Sequence, residues 1–198
     1  MSKEGSATGS ACGRAPALSV EDKQALLRLA RQTLHDYLSQ GKLPPPTSDS
    51  PALLRSCATF VTLRKRGSAE LRGCRGECPA RRPLVESVIN MVIAAATDDS
   101  RFPSVTLDEV SGLRIEISAL SPIMLIEPEH VVVGQHGLLI IKGHSSGLLL
   151  PQVPVAFGWD RDQFLRGLCR KAQLPPDAWK FGDVRLYGFE AEAWGEEE

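Results

Sequence analysis

The segment 57-CATFVTLRKRGSAELRGCRGEC-78 decides the fold. Cys57 to Leu63 is rich in β-branched and aromatic residues and reads as a strand. Arg64-Lys65-Arg66-Gly67-Ser68 is a turn with a glycine near its end, and Glu70 to Cys74 returns as the partner strand. A hairpin of this length needs further strands and a helix cover to be stable, and the flanking sequence supplies both.

Upstream, Ser19 has the character of a helix N-cap, with Asp22 three residues later. Leu26, Leu27, Ala30, Leu34, Tyr37 and Leu38 recur at helical spacing until Gly41 ends the run, and three prolines follow. Downstream, Pro83 opens a second helix that runs to about Thr97 with a broad apolar face. Leu113 to Ile117 alternates like a half-buried strand. Val131–Val133 and Leu138–Ile141 predict a second hairpin around Gly134-Gln135-His136-Gly137. A short strand at Leu148–Leu150, a third long helix from Asp160 and a last strand at Val184–Glu190 complete the pattern. The class is α+β, mainly antiparallel sheet flanked by helices, in one unit covering residues 18–194. Residues 1–17, rich in Ser, Gly and Ala, predict a disordered tail in which Cys12 is incidental. Gly195 to Glu198 predicts a solvated acidic tail.

The chain has 198 residues, 42% hydrophobic and 24% charged, with a formal net charge of −1. Such a charge makes no general polyanion binder. No apolar run approaches a membrane span, and Met1 to Ala17 has no apolar core for a secretory signal. Five irregularly spaced cysteines argue against a disulfide framework and for a reducing cytoplasm. No P-loop, Gly-x-Gly-x-x-Gly, Gly-x-Ser-x-Gly or His-Glu-x-x-His pattern occurs. Cys74 and Cys78 lack the second ligand pair that a structural zinc site requires, so no metal is expected.

Leu71-Arg72-Gly73-Cys74-Arg75-Gly76-Glu77-Cys78 carries the most chemistry. Glycines on both sides of a cysteine let the backbone approach a ligand. Arg72, Arg75 and the start of the following helix could each favour a thiolate. The plainer alternative is a shaped turn around a small buried thiol. Residues 64–82 hold seven basic residues against Glu70 and Glu77, an excess of five charges. That excess is either a phosphate-binding patch or a solvated hairpin tip, and no aromatics interleave it for base stacking. Among the histidines, His136 stands at a turn and is the candidate for a cleft, whereas His35 belongs to a helix surface.

These residues resemble a known family. Phe60-Val61-Thr62-Leu63, Leu71-Arg72-Gly73-Cys74 with Gly76, Asp99-Ser100-Arg101-Phe102-Pro103 and Ile115-Glu116-Ile117-Ser118 are similar to the core of the AMMECR-domain family, called in prokaryotes AmmeMemoRadiSam system protein A. Gly134 to Leu138, Gly147 to Val153, Gly158-Trp159-Asp160, Lys171 to Trp179 and Tyr187-Gly188-Phe189 continue the resemblance, which covers roughly residues 20–192. It implies a larger and a smaller subdomain with a cleft between them, and a genomic association with a Memo-like protein and a radical-SAM protein. It supplies no established reaction and no cofactor. Its most distinctive segments mark Arg72, Gly73, Gly76, Arg101, Phe102, Gly137 and Gln152 as candidate ligand contacts, with Cys74 and His136 for chemistry. The sequence departs from the family pattern at Ala58, where glycine is usual, at Arg75, where a bulky aliphatic is usual, and in the extra thiol Cys78.

Three functions follow as expectations. The first is a cleft for a small anionic ligand, with Arg72 and Arg101 as guanidinium anchors, Cys74 as a reactive or contacting thiol and His136 in proton transfer. The second is an adaptor for the Memo-like and radical-SAM partners. The third is RNA binding through the basic hairpin, with a nucleic-acid partner the weakest of the three.

Overall fold

A computed structural model describes residues 18–197, so the expectations for residues 1–17 and Cys12 lie outside the described residues. Helix α1 spans Val20–Gln40. Asp22 N donates to Ser19 Oγ at 3.1 Å, and Ser19 N donates to Asp22 Oδ2 at 3.2 Å, which closes a capping box. Gly41 ends the helix at φ +66°, a left-handed position that glycine adopts without strain. Strands β1 (Thr59–Lys65) and β2 (Leu71–Glu77) form the first hairpin. Helix α2 (Leu84–Thr97) follows, then a 3-10 turn at Leu107–Gly112 and strand β3 (Leu113–Leu120). The chain next builds β4 (Met124–Leu125), β5 (Gly137–Lys142), β6 (Ser145–Leu149), the short helix α3 (Gln152–Ala156), α4 (Arg161–Lys171), β7 (Arg185–Phe189) and β8 (Ala191–Gly195).

Two four-stranded antiparallel sheets result, in the orders β2-β1-β3-β8 and β4-β7-β5-β6. On the first sheet Val61, Leu63, Ile115 and Ile117 face α1 and α2 and are fully buried, along with Leu26, Leu34, Val88 and Val92 of those helices. Strand alternation puts Phe60, Thr62 and Arg64 on the opposite face, which no helix of this half covers. The second sheet has its own core, where Leu138 and Ile140 pack on Phe164, Leu165 and Leu168 of α4. Ala58, Leu120 and Phe189 form a third cluster, with Phe60, Leu148 and Leu150 packed against it. That cluster lies where the chain passes between sheets. Ser121 N donates to Glu190 O at 2.8 Å, and Glu190 N to Ser121 Oγ at 2.9 Å, tying the two crossings together. No helix of the described residues is long and apolar enough to cross a membrane.

Two elements differ from the sequence expectation. Val131–Val133 is not a strand. Pro128–His130 forms a 3-10 turn, and the tight Gly143-His144 turn gives Leu138–Ile141 a nearer partner in β6. Val131 is buried in the second core without joining a ladder. The described part of the expected acidic tail, Gly195 to Glu197, is also not free in solvent. Ala191–Gly195 is strand β8, paired with β3, and Glu196 is the anchor beyond it. Its carboxylate accepts from Arg31 through two nitrogens, from Arg66 Nη2 at 3.2 Å and from Ile115 N at 3.0 Å. Arg66 Nη1 also donates to the Glu197 carbonyl at 2.7 Å. Apolar periodicity does not announce such a strap, because its fixing points are charges distant in sequence. Glu196→Gln is expected to lower unfolding stability by about 2 kcal/mol, the scale of charge-assisted hydrogen bonds. Urea denaturation checks it, and a change below about 0.5 kcal/mol is what an ordinary surface site would give.

Candidate functional site

The open face of the first sheet is laid out in rows by strand register. Gly76, Phe60, Ser118 and Ala193 face one another across β2, β1, β3 and β8. The next row is Cys74, Thr62, Glu116 and Gly195, and the row after that Leu71, Arg64 and Arg114. Above this floor stand Leu148 to Leu150 at the end of β6, Gln152 and Val153 of α3, and Lys171 of α4. The space between is a cavity of about 650 Å³, within the size range of small-molecule sites.

Cys74 sits on that floor, partly exposed. Thr62 Oγ1 donates to its sulfur at 3.3 Å. Its backbone N–H points off the edge of the sheet and donates to Asp99 Oδ2 at 2.9 Å. Asp99 is 7% exposed and is gripped by Arg101, Nε to Oδ1 at 2.9 Å and Nη2 to Oδ2 at 2.6 Å. These Arg101 bonds, joined by the Cys74 amide, outweigh burial and hold the Asp99 carboxyl well below the usual carboxylate range. The same pairing raises Arg101. The guanidinium is half exposed, lies over the Phe102 ring at 5.4 Å, and lines the cavity. Its Nη1 makes no hydrogen bond among the described residues. A buried carboxylate thus fixes a charged fork next to a cavity thiol. That arrangement suits a carboxylate or phosphate oxygen.

The candidates from sequence divide into two groups. Cys74, Gly76, Arg101 and Gln152 line the cavity. Phe102 stands behind as the platform for Arg101. Gly73 faces the helices, where an added Cβ would meet the Ala95 carbonyl oxygen at 2.1 Å. Arg72 does not reach the cavity, contrary to its expected ligand role. The ladder pairs Leu63 with Gly73 and Arg64 with Leu71, so Arg72 is the extra residue of a β-bulge. The bulge turns its side chain to Glu109, with Nε to Oε2 at 2.7 Å and Nη2 to Oε1 at 3.0 Å, and to the carbonyls of Pro103 and Ser104. His136 and Gly137 also lie outside the cavity lining. His136 is 3% exposed, and its Nδ1 accepts the Val132 N–H at 3.1 Å, so the ring braces its own turn. Burial lowers its pKa, with Glu190 opposing, which favours the neutral ring. An added Cβ on Gly137 would fall 2.3 Å from the Phe189 ring, so that glycine permits close packing.

The expected activation of Cys74 by Arg72 or Arg75 meets a further neighbour. Arg72 is turned away, whereas Arg75, exposed on the edge strand, lines the cavity together with Cys74. Arg101 is a second cation beside the sulfur. Burial raises the thiols of Cys57 and Cys169 and pushes Cys78 up to about 11. Asp99, Glu116 and Lys171 drew no role from sequence. The i, i+2 spacing of Asp99 and Arg101 is the one signal that could have suggested their pairing. The basic hairpin is not a free patch: Arg64 pairs with Glu116, Lys65 with Glu70 and Arg66 with Glu196.

A family model described as AMMECR1 matches residues 27–194. Protein PH0010 of Pyrococcus horikoshii is 45% identical over 182 residues, covering 87% of this chain and 88% of that protein. Protein MK0488 of Methanopyrus kandleri is 41% identical over 189 residues, covering 91% of each. The crystal structure of PH0010, called an uncharacterized protein, superposes with a TM-score of 0.83 and covers 87% of this chain and 90% of its own.

Proposed function

The chain belongs to the AMMECR1 family, and on that footing we propose that the cleft between its two sheets binds a small anionic ligand, with Cys74 as the thiol that meets it. The names of the relatives bring no reaction with them, so the reading rests on the site. One observation carries it: Arg101, half exposed, is held by the buried Asp99 beside Cys74 in a cavity of ligand size. Arg101 anchors the charge. Asp99 orients Arg101 and, through the Cys74 amide, the strand that carries the thiol. The Thr62 hydroxyl, donating to sulfur, steadies an electron-rich Sγ.

The test is metabolite capture from a cell extract, read by mass spectrometry, with wild-type protein, Arg101→Gln and Cys74→Ala side by side. Wild-type protein is expected to enrich one or a few anions, and Arg101→Gln to reduce that enrichment about tenfold or more, on the scale of a lost charge-assisted hydrogen bond. Equal recovery by wild type and Arg101→Gln, with both folded by circular dichroism, contradicts the reading. A second reading, an adaptor for partner proteins, draws on the exposed Val132, Val155 and Phe157, half or more accessible around α3.

A further inference from the structure

The rows of the cavity floor differ in polarity in a fixed direction, and this restricts what can lie along them. The row of Gly76, Phe60, Ser118 and Ala193 is nearly apolar. An added Cβ at Gly76 would fall 2.2 Å from the Phe60 ring, so the ring lies directly over the glycine backbone. Leu148 and Leu150 come down from the other half and, like Phe60, are only partly buried against the joint between the sheets. The next row carries Cys74, Thr62 and Glu116, with Arg101 at its edge. The third row carries Leu71 beside Arg64 and Arg114, both arginines paired with Glu116 of the row before, and Lys171 adds a cation from the opposite wall. Polarity therefore rises from the joint outward. At about 3.3 Å per residue, Phe60 lies roughly 7 Å from the Cys74–Thr62 row and about 13 Å from the row of Arg64.

We infer that the cleft takes an anionic amphiphile: a phosphate or carboxylate head at Arg101, next to Cys74, and an apolar tail of a few carbons laid between Phe60 and Leu148–Leu150. This rests on the anion site proposed above and adds the tail and its direction. A densely hydroxylated anion fits less well, because the inner row offers one hydroxyl, that of Ser118, and otherwise apolar surface. Leaving hydroxyls without partners there is costly, whereas each buried methylene contributes about 0.8 kcal/mol, close to fourfold in affinity.

The experiment measures binding of methyl, propyl and hexyl phosphate, and of acetate, butanoate and hexanoate, by isothermal titration to wild-type protein, Arg101→Gln and Leu150→Asn. In at least one series the six-carbon member is expected to bind tenfold or more tighter than the one- or two-carbon member. Arg101→Gln is expected to weaken every member, and Leu150→Asn to shrink the tail-dependent gain. Binding that ignores chain length but falls in Arg101→Gln leaves the anion site standing and overturns the amphiphile. A gain with chain length that Leu150→Asn does not touch also overturns it, because the tail then lies elsewhere. If no member of either series binds wild-type protein, the anion site and the amphiphile fall together.

Discussion

Gly73→Ala is expected to remove about 3 kcal/mol or more of folding stability, the upper end of what overpacking costs. Gly73 faces α2, and the new Cβ would sit 2.1 Å from the Ala95 carbonyl oxygen and 3.1 Å from its carbon. Both are backbone atoms, so no flexible side chain can yield. The helix must move off the sheet, and its fully buried Val88 and Val92 move with it. Gly76→Ala, three residues on, serves as the contrast. Its Cβ would strike the Phe60 ring, a side chain beside the cavity that has room to swing. That variant should keep more of its stability and instead fill the inner end of the cleft. Chemical denaturation of the two proteins checks the difference, and equal, wild-type-like midpoints would contradict it.

Arg72→Met is expected to cost about 3 kcal/mol, within the range for breaking a buried ion pair by removing one partner. The Arg72 side chain is 8% exposed. Its loss strands the Pro103 and Ser104 carbonyls as well as Glu109, although Glu109 is partly exposed and regains some water. Arg101→Met removes the cation from a carboxylate that is itself 7% exposed, so it should also cost about 3 kcal/mol, less what the Cys74 amide and water recover. A pH series separates the ion pair from packing. Hydrogen bonds from Arg72 depress Glu109 to about 2, against burial. A depressed carboxylate contributes fully above its unfolded value of about 4.3 and loses that contribution as pH falls toward its folded value. The stability gap between wild type and Arg72→Met should therefore be constant above about pH 5 and narrow between about pH 4 and 2. A gap that stays constant through that window would assign the loss to packing alone.

The hairpin at residues 57–78, the capped first helix and the apolar second helix were legible because local chemistry fixes each of them. Ser19 and Asp22 close a cap on themselves, and Val61 and Leu63 alternate toward the core. The face that carries the site was half legible. Alternation alone puts Phe60, Thr62 and Cys74 together once β1 and β2 are paired. Arg72 misleads because two-residue spacing puts it on the Cys74 side, and a single inserted residue reverses that. Nothing local announces such a bulge. His136 misleads because a histidine at a glycine-flanked turn suggests exposure, whereas the fold buries it against the Val132 amide. Glu196 and Lys171 were missed because their positions are set by pairings or contacts remote in sequence. The acidic end read as solvent-seeking until Arg31 and Arg66 were brought to it.

The most direct test of the anion-binding cleft uses two alkylating reagents that differ mainly in charge. Iodoacetate is anionic and iodoacetamide neutral, and both form a thioether at an accessible thiol. The ratio of their rates at Cys74, followed by mass spectrometry and normalised to the same ratio in the denatured chain, reports whether Arg101 concentrates anions at the sulfur. Cys57, Cys78 and Cys169, raised by burial, serve as slow internal references. The predicted result is a normalised ratio at Cys74 of about tenfold or more, falling toward one in Arg101→Gln and at high ionic strength. A ratio near one in the folded wild-type protein, or a Cys74 that neither reagent labels, would contradict the account.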